Sequence, residues 1–351
     1  MKFTFMGKSG LRVSEICLGT MTFGLEFGWG NTKEASQEVF QTFVEAGGNF
    51  FDTANHYTKG TSEKLLGEFI GSRRQEFVIA TKYTLSQNRQ DPNAGGNHRK
   101  NMLQSLEASL KRLNTDFIDL YWIHAWDFTT SVDEVLRALD DMVRAGKILH
   151  IGISNAPAWV ISQANTIAEL RGRTPFIGMQ LEYSLVERAI EREFFSLAQA
   201  FDLTITAWSP LGMGVLTGKY NQNPSQQSRF EINKEWGKRF INDRNLKIAQ
   251  AVVQVAQEIG KTPAQVALNW IRQKNEVMII PIIGAKVAEQ LKDNLKCLDF
   301  ALDKNHMEKL NAVSQIELGY PYAASQDESM RKMVLGDRSP FIEKHCTWST
   351  L

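Results

Sequence analysis

The sequence predicts a parallel (β/α)8 barrel whose base is closed by an N-terminal hairpin. Three features carry that reading. Short apolar runs alternate with longer amphipathic stretches eight times along the 351 residues. The runs are mostly continuous in Ile, Val and Phe, as strands covered on both faces are. Eight such units in one chain favour a closed barrel over an open doubly wound sheet.

The strands are expected at 16–18, 49–52, 77–82, 117–124, 148–154, 177–181, 204–208 and 277–283. Helical patterns fill the intervals. The first runs over 32–46, with Thr32 as N-cap, Val39, Phe40 and Phe43 at helical spacing, and Gly47-Gly48 as its stop. The others are expected at 61–70, 101–113, 132–145, 158–169, 190–201, 242–259 and 287–295, with an additional helix at 263–274. Residues 3–6 and 11–13 flank Gly7-Lys8-Ser9-Gly10 and predict the hairpin that plugs the base. Two polar insertions, 86–100 and 220–240, leave the C-terminal face of the barrel, as lids over a site or as solvated surface loops. The chain is expected to be one barrel domain over 1–351, with a tail from Gly319 onward that the pattern does not place.

Composition narrows the function. Hydrophobic residues make up 43% of the chain and charged residues 23%, ordinary values for a globular protein. A net charge of +1 gives no nucleic-acid footprint and no attraction to an anionic membrane. No stretch is apolar and long enough to span a bilayer, and residues 1–7 carry no secretory pattern. Cys17, Cys297 and Cys346 are far apart and odd in number, which predicts free thiols and a cytoplasmic protein. The six histidines show neither HxH nor HxxxH spacing, so no metal site is expected.

Barrel chemistry collects at the C-terminal ends of the strands. Those ends carry Asp52, Lys82, His124, Ser154, Asn155, Gln180 and Trp208, and Tyr57 follows Asp52 in the next loop. A lysine at the end of an apolar strand needs a partner, and Asp52 supplies the opposite charge. An ammonium held beside Tyr57 favours the phenolate and lowers its pKa from about 10, which would make it a tuned general acid. His124 can donate a hydrogen bond to a substrate oxygen. Taken singly, each could be a structural residue: a loop aromatic, a core histidine, an ion pair. Their convergence on one rim points to catalysis.

The segments Asp52-Thr53-Ala54-Asn55-His56-Tyr57, Ala80-Thr81-Lys82 and Leu113-Asn114-Thr115-Asp116-Phe117-Ile118-Asp119-Leu120-Tyr121-Trp122-Ile123-His124 resemble the aldo-keto reductases, over roughly the first 315 residues and in the same order. The resemblance is closest to the branch that includes aryl-alcohol dehydrogenases and potassium-channel β subunits. It implies a barrel that binds NADPH across its C-terminal face and reduces aldehydes or ketones. Tyr57 would be the acid/base, Asp52 and Lys82 its tuning pair, and His124 the group that orients the carbonyl. The same likeness implies a regulatory NADP(H) sensor as the alternative.

The resemblance also implies a cofactor site. Gly19, Thr20, Met21 and Asp52 would flank it, and Ser154, Asn155 and Gln180 would hold the nicotinamide carboxamide. Trp208 stands where the family usually has a stacking tyrosine. Ser209-Pro210-Leu211-Gly212-Met213-Gly214-Val215-Leu216-Thr217-Gly218-Lys219 would cradle the pyrophosphate, its glycines letting backbone N–H groups approach. Gly284, Lys286, Gln290 and Asn294 mark the start of the last helix, where a cation suits a 2′-phosphate and favours NADPH over NADH. The substrate, a small carbonyl compound, is expected to meet Met21, Phe23, Trp29, Tyr57, His124 and Trp126, whose aromatics suit apolar or aromatic aldehydes.

Overall fold

A computed structural model describes residues 1–222, 234–338 and 341–342. A two-stranded antiparallel hairpin comes first, β1 (Phe3–Phe5) and β2 (Arg12–Ser14), with Thr4 opposite Val13. Eight parallel strands follow and close into a barrel: β3 (Cys17–Gly19), β4 (Phe50–Asp52), β5 (Val78–Tyr83), β6 (Ile118–Ile123), β7 (Ile148–Ser154), β8 (Phe176–Glu182), β9 (Thr204–Trp208) and β10 (Ile279–Ile283), with β10 pairing back onto β3. The predicted strands 148–154 and 204–208 match at both ends. The last begins two residues later than expected, at Ile279, after a half-exposed Met278.

Local chemistry sets the helix ends. Helix α1 (Lys33–Glu45) begins behind Thr32, whose hydroxyl accepts the Ala35 N–H at 3.3 Å. Helix α2 spans Thr61–Ile70, as expected. The next, α3 (Arg99–Leu113), starts two residues earlier than predicted because His98 serves as its cap through Nδ1. The expected helix over 190–201 is divided into a single turn (Ala189–Glu191) and a helix (Phe194–Phe201). Glu191 is drawn aside by Arg188, at 2.8 Å, and by the Tyr183 hydroxyl, at 2.6 Å. The additional helix ends at Arg272, and its Thr262 and Gln265 form a reciprocal capping box.

The hairpin does plug the base. Met6 is fully buried against Phe50, Val78, Leu120 and Trp122 inside the barrel. Gly7 takes φ +54° there and donates to Thr204 Oγ1 at 2.8 Å, and a side chain on it would collide with the Ile177 carbonyl. Higher in the barrel the interior is filled by one large group, the Trp122 indole. Gly152 on β7 and Gly178 on β8 make room for it: a methyl at Gly152 would overlap the indole, and one at Gly178 would lie 2.5 Å from Met6 Cε.

The insertion after β5 is held in place. Asn97 is buried, donates to Thr84 Oγ1 and the Ala125 carbonyl, and exchanges bonds with Asp127. The second insertion is described only at its ends. Its returning helix (Lys234–Phe240) is tied to the rim by Arg239, 2.6 Å from Glu182. The rest, 223–233, lies outside the described residues. The tail forms two short helices, Tyr322–Gln326 and Glu328–Leu335. Cys17 and Cys297 are buried free thiols, and Cys346 lies outside the described residues. No described helix is long and apolar enough to cross a membrane.

Because Gly152 faces the indole, Gly152→Ala should lower stability by about 1–3 kcal/mol through overpacking. The same change made on a Trp122→Leu background should cost clearly less. Thermal midpoints of the two single variants and the double variant, followed by circular dichroism, check this coupling.

Candidate active site

Strands β4 and β5 run in register, with Asp52 beside Ala80, so the side chains of Asp52 and Lys82 enter the barrel mouth together. The Lys82 ammonium has three protons and meets three acceptors: Asp52 Oδ2 at 2.5 Å, the Thr53 carbonyl at 2.7 Å and the Tyr57 hydroxyl at 3.1 Å. Both charged side chains are essentially sealed from solvent, at 0% and 3% exposure. The second carboxylate oxygen of Asp52 accepts Gln180 Nε2 at 2.9 Å. Burial pushes the ammonium down, but Asp52 and then Tyr57 outweigh it and hold Lys82 charged above the usual lysine range.

Tyr57 corrects one expectation. Burial raises its phenol pKa, and this outweighs the lowering by Lys82, so the hydroxyl stays protonated above the ordinary tyrosine value. The hydroxyl accepts from the ammonium, which leaves its own proton free to donate into the cavity. His124 follows β6, and its ring meets that of Tyr57 edge to face with centroids 5.8 Å apart. Burial first, and then the Lys82 ammonium with a smaller push from the neighbouring His56, hold the imidazole well below the usual histidine range, so it is neutral. Its Nδ1 is buried without a protein partner among the described residues.

These groups open onto a cavity of about 750 Å³ at the C-terminal ends of the strands. Its wall includes Gly19, Met21, Asp52, Tyr57, His124, Ser154, Asn155, Gln180, Trp208, Ser209, Pro210, Leu211, Gly214, Lys219, Gly284, Lys286 and Gln290, all singled out by the sequence. The polar part of the wall is specific about what it leaves unused. Gln180 spends its N–H on Asp52, Asn155 donates to the His124 carbonyl at 2.9 Å, and Ser154 donates to the Gln180 carbonyl at 2.8 Å. The amide oxygens of Gln180 and Asn155 remain as acceptors, matching an amide NH2. Lys219 and Lys286 stand after the adjacent strands β9 and β10, on the other side of the barrel from His124. Free amide acceptors at the ends of β7 and β8, with two cations following the next strands β9 and β10, fit an elongated amide-bearing polyphosphate.

Several expected wall residues lie elsewhere. Phe23 and Trp126 are packed into the core, Phe23 edge-on to Phe69, because the chain needs those rings to seal the space between strands and helices. Trp29 backs Phe27 instead, with centroids 5.7 Å apart, and Phe27 forms the wall. Thr20 is buried and bonded to Asp52 O and Ser62. The amides of Gly212, Gly214 and Gly218 donate to the carbonyls of Ser209, Leu211 and Val215, so the glycines shape the loop's own turns. Gly212, Leu216 and Gly218 are off the wall, packed beneath it. The helix that follows β10 begins at Ala288, after Lys286, and Gln290 Oε1 accepts the Lys286 N–H at 2.8 Å. Asn294 is buried off the wall, and its amide nitrogen has no partner among the described residues. Met213 and Thr217, within the segment expected to cradle the pyrophosphate, also line the cavity, and the sequence reading gave no role to His56 and Leu85, which line it too. Of these only His56, next to Tyr57, carried a signal.

Residues 15–315 match the Aldo/keto reductase family, and the chain belongs to that family. It is therefore built as an oxidoreductase. Among curated proteins it is 37% identical over 347 residues to norsolorinic acid reductase stcV of Emericella nidulans, covering 96% of this chain and 86% of the relative. It is 35% identical over 342 residues to an aryl-alcohol dehydrogenase (NADP(+)) of Phanerodontia chrysosporium, covering 91% and 87%. A third relative, aryl-alcohol dehydrogenase GME11368 of Pestalotiopsis microspora, is 33% identical over 323 residues, covering 90% and 82%.

A buried neutral histidine has a sign in acid. The folded pKa of His124 lies below its unfolded value near 6.5, so its contribution to stability is complete above that value and is lost as pH falls through it. The thermal midpoint of the wild type should fall more between about pH 7.5 and pH 5.5 than that of His124→Asn. Parallel melting curves at both pH values check the difference.

Proposed function

We propose that the protein is an NADP(H)-dependent reductase of aryl aldehydes and ketones, working reversibly, with Tyr57 as the proton donor. The observation that carries this reading is the Tyr57 hydroxyl: it accepts from a buried ammonium on one side and faces the cavity on the other. The names of the relatives, a norsolorinic acid reductase and two aryl-alcohol dehydrogenases, one of them marked NADP(+), support the substrate class and the cofactor.

Ser154, Asn155 and Gln180 would hold the nicotinamide, Trp208 would lie against its ring, and Lys219 and Lys286 would meet its phosphates. The nicotinamide supplies the hydride. The chain's own residues do the rest. Neutral His124 donates to the carbonyl oxygen and fixes its direction. Tyr57, protonated at neutral pH, gives its proton to the oxygen as negative charge develops there. Lys82 stabilises the phenolate left behind, and Asp52 keeps Lys82 charged and aimed.

With 4-nitrobenzaldehyde, the wild type should oxidise NADPH and Tyr57→Phe should lose about 10²–10⁴-fold in kcat while still binding NADPH. Binding without turnover across a broad carbonyl panel would overturn the reductase reading in favour of a regulatory NADP(H)-binding subunit. The pH dependence also has a definite direction. Reduction should stay level between about pH 6 and pH 9, because Tyr57 remains protonated. Alcohol oxidation, which needs the phenolate, should rise through the same range.

A further inference from the structure

His56 is the cavity-wall residue next to Tyr57 whose chemistry the reduction step leaves unused. It caps the turn Tyr57–Gly60 through its backbone alone: its carbonyl accepts the Lys59 N–H at 3.2 Å, and its side chain makes no capping bond. The turn is stiff. Thr58 and Lys59 both have positive φ, Asn55 N donates to the Lys82 carbonyl at 3.1 Å, and Thr58 Oγ1 donates to the Phe23 carbonyl at 2.7 Å. The Cα–Cβ bond of His56 is thus set in direction by the same turn that carries Tyr57.

Its surroundings are mostly apolar. The ring lies against Phe27, centroids 6.2 Å apart, and Phe27 is backed by Trp29. Met21, Leu85 and Phe27 complete this side of the wall. Neither imidazole nitrogen hydrogen-bonds a described residue. Burial, and then the charge of Arg89, hold the ring neutral, so it offers one donor and one acceptor.

We infer that His56 is a specificity-determining residue that hydrogen-bonds a phenolic hydroxyl on the substrate ring, so that the site selects hydroxyaryl carbonyls over unsubstituted ones. This deepens the proposed function and rests on it. A planar ring that brings its carbonyl to Tyr57 and His124 would meet the wall that Phe27 and His56 share, where the imidazole makes no hydrogen bond to a described residue. A hydroxyl matches a neutral imidazole in both directions, as donor and as acceptor. A carboxylate could only accept, and would draw on the exposed Arg89 instead. Because His56 is half-buried, water satisfies it when the hydroxyl is missing, so discrimination is about tenfold and not the 10⁴-fold of a sealed site.

The test is kcat/KM for benzaldehyde, its 2-, 3- and 4-hydroxy isomers and 4-carboxybenzaldehyde, in the wild type, His56→Phe and His56→Gln. The wild type should favour one hydroxy isomer over benzaldehyde by about tenfold. His56→Phe keeps the aromatic contact with Phe27 and should bring that ratio close to one. His56→Gln, which keeps a donor and an acceptor, should restore part of it. A ratio unchanged in His56→Phe, or a wild type that prefers the carboxylate or shows no preference, overturns the inference while leaving the reductase reading intact. Failure of every aldehyde to turn over defeats the reductase reading separately. In that event calorimetric affinities of the enzyme–NADP+ complex for benzyl alcohol and its hydroxy isomers decide the role of His56, and equal affinities overturn it.

Discussion

The Lys82 ammonium is the point on which the site depends. Three protons find three acceptors inside a barrel that admits no water to them. A charge buried to that degree costs several kcal/mol unless it is fully paired. The pairing here is geometric before it is electrostatic. Adjacent parallel strands set Asp52 beside Ala80, two residues before Lys82, and the next turn of chain returns Tyr57 to the same ammonium. Shifting β4 by one residue against β5 would turn Asp52 away and leave the lysine unpaired. The register of the barrel and the charge balance of the site are one constraint seen twice.

That constraint reaches downward. Trp122 is beside Lys82 in register on β6 and fills the interior below the site, and it can do so only because β7 and β8 each present a glycine to it. Below the indole, Met6 of the hairpin closes the base. The floor under Asp52 and Lys82 is therefore a solid stack from hairpin to indole. A solid floor keeps water from the pair and keeps the dielectric around it low, which strengthens each of its bonds. Both insertions leave the barrel at its upper rim, after β5 and β9, away from this floor.

Much of this was legible in the sequence because it is written in short range. Four of the predicted strands end in Asp52, Lys82, His124 and Ser154, and the structure brings these residues to the mouth of one cavity. What could not be read was the outcome of competition. Phe23 and Trp126 have the chemistry of pocket walls, but the core between strands and helices claimed them, while Phe27, four residues from Phe23, took the wall. The glycines between 212 and 218 looked like open amides, but each amide was taken by a carbonyl of its own loop, a bond no spacing rule foresees. His56 was quoted only as a neighbour of Tyr57, since nothing in the sequence distinguishes a wall histidine from a core one. For Tyr57 the sequence supplied the cation but not the degree of burial, and burial decided the sign.

That sign is the one a reductase needs. Had the ammonium lowered the phenol into the neutral range, much of the enzyme would carry a phenolate with no proton to give. In the proposed reduction, burial would keep the proton on Tyr57 until a substrate oxygen begins to take it. The ammonium would then act at that moment: its attraction is weak for a neutral phenol and strong for the phenolate that would form as the proton leaves. An interaction that strengthens along the reaction lowers the barrier, whereas one already complete in the resting state would not. The neutral state of His124 follows the same logic. A second cation 5.8 Å ring to ring from Tyr57 would compete with Lys82 and repel it, while a neutral imidazole can still direct a hydrogen bond at the carbonyl. One buried cation, placed where charge develops and balanced by one carboxylate, is the electrostatic design that this barrel supports.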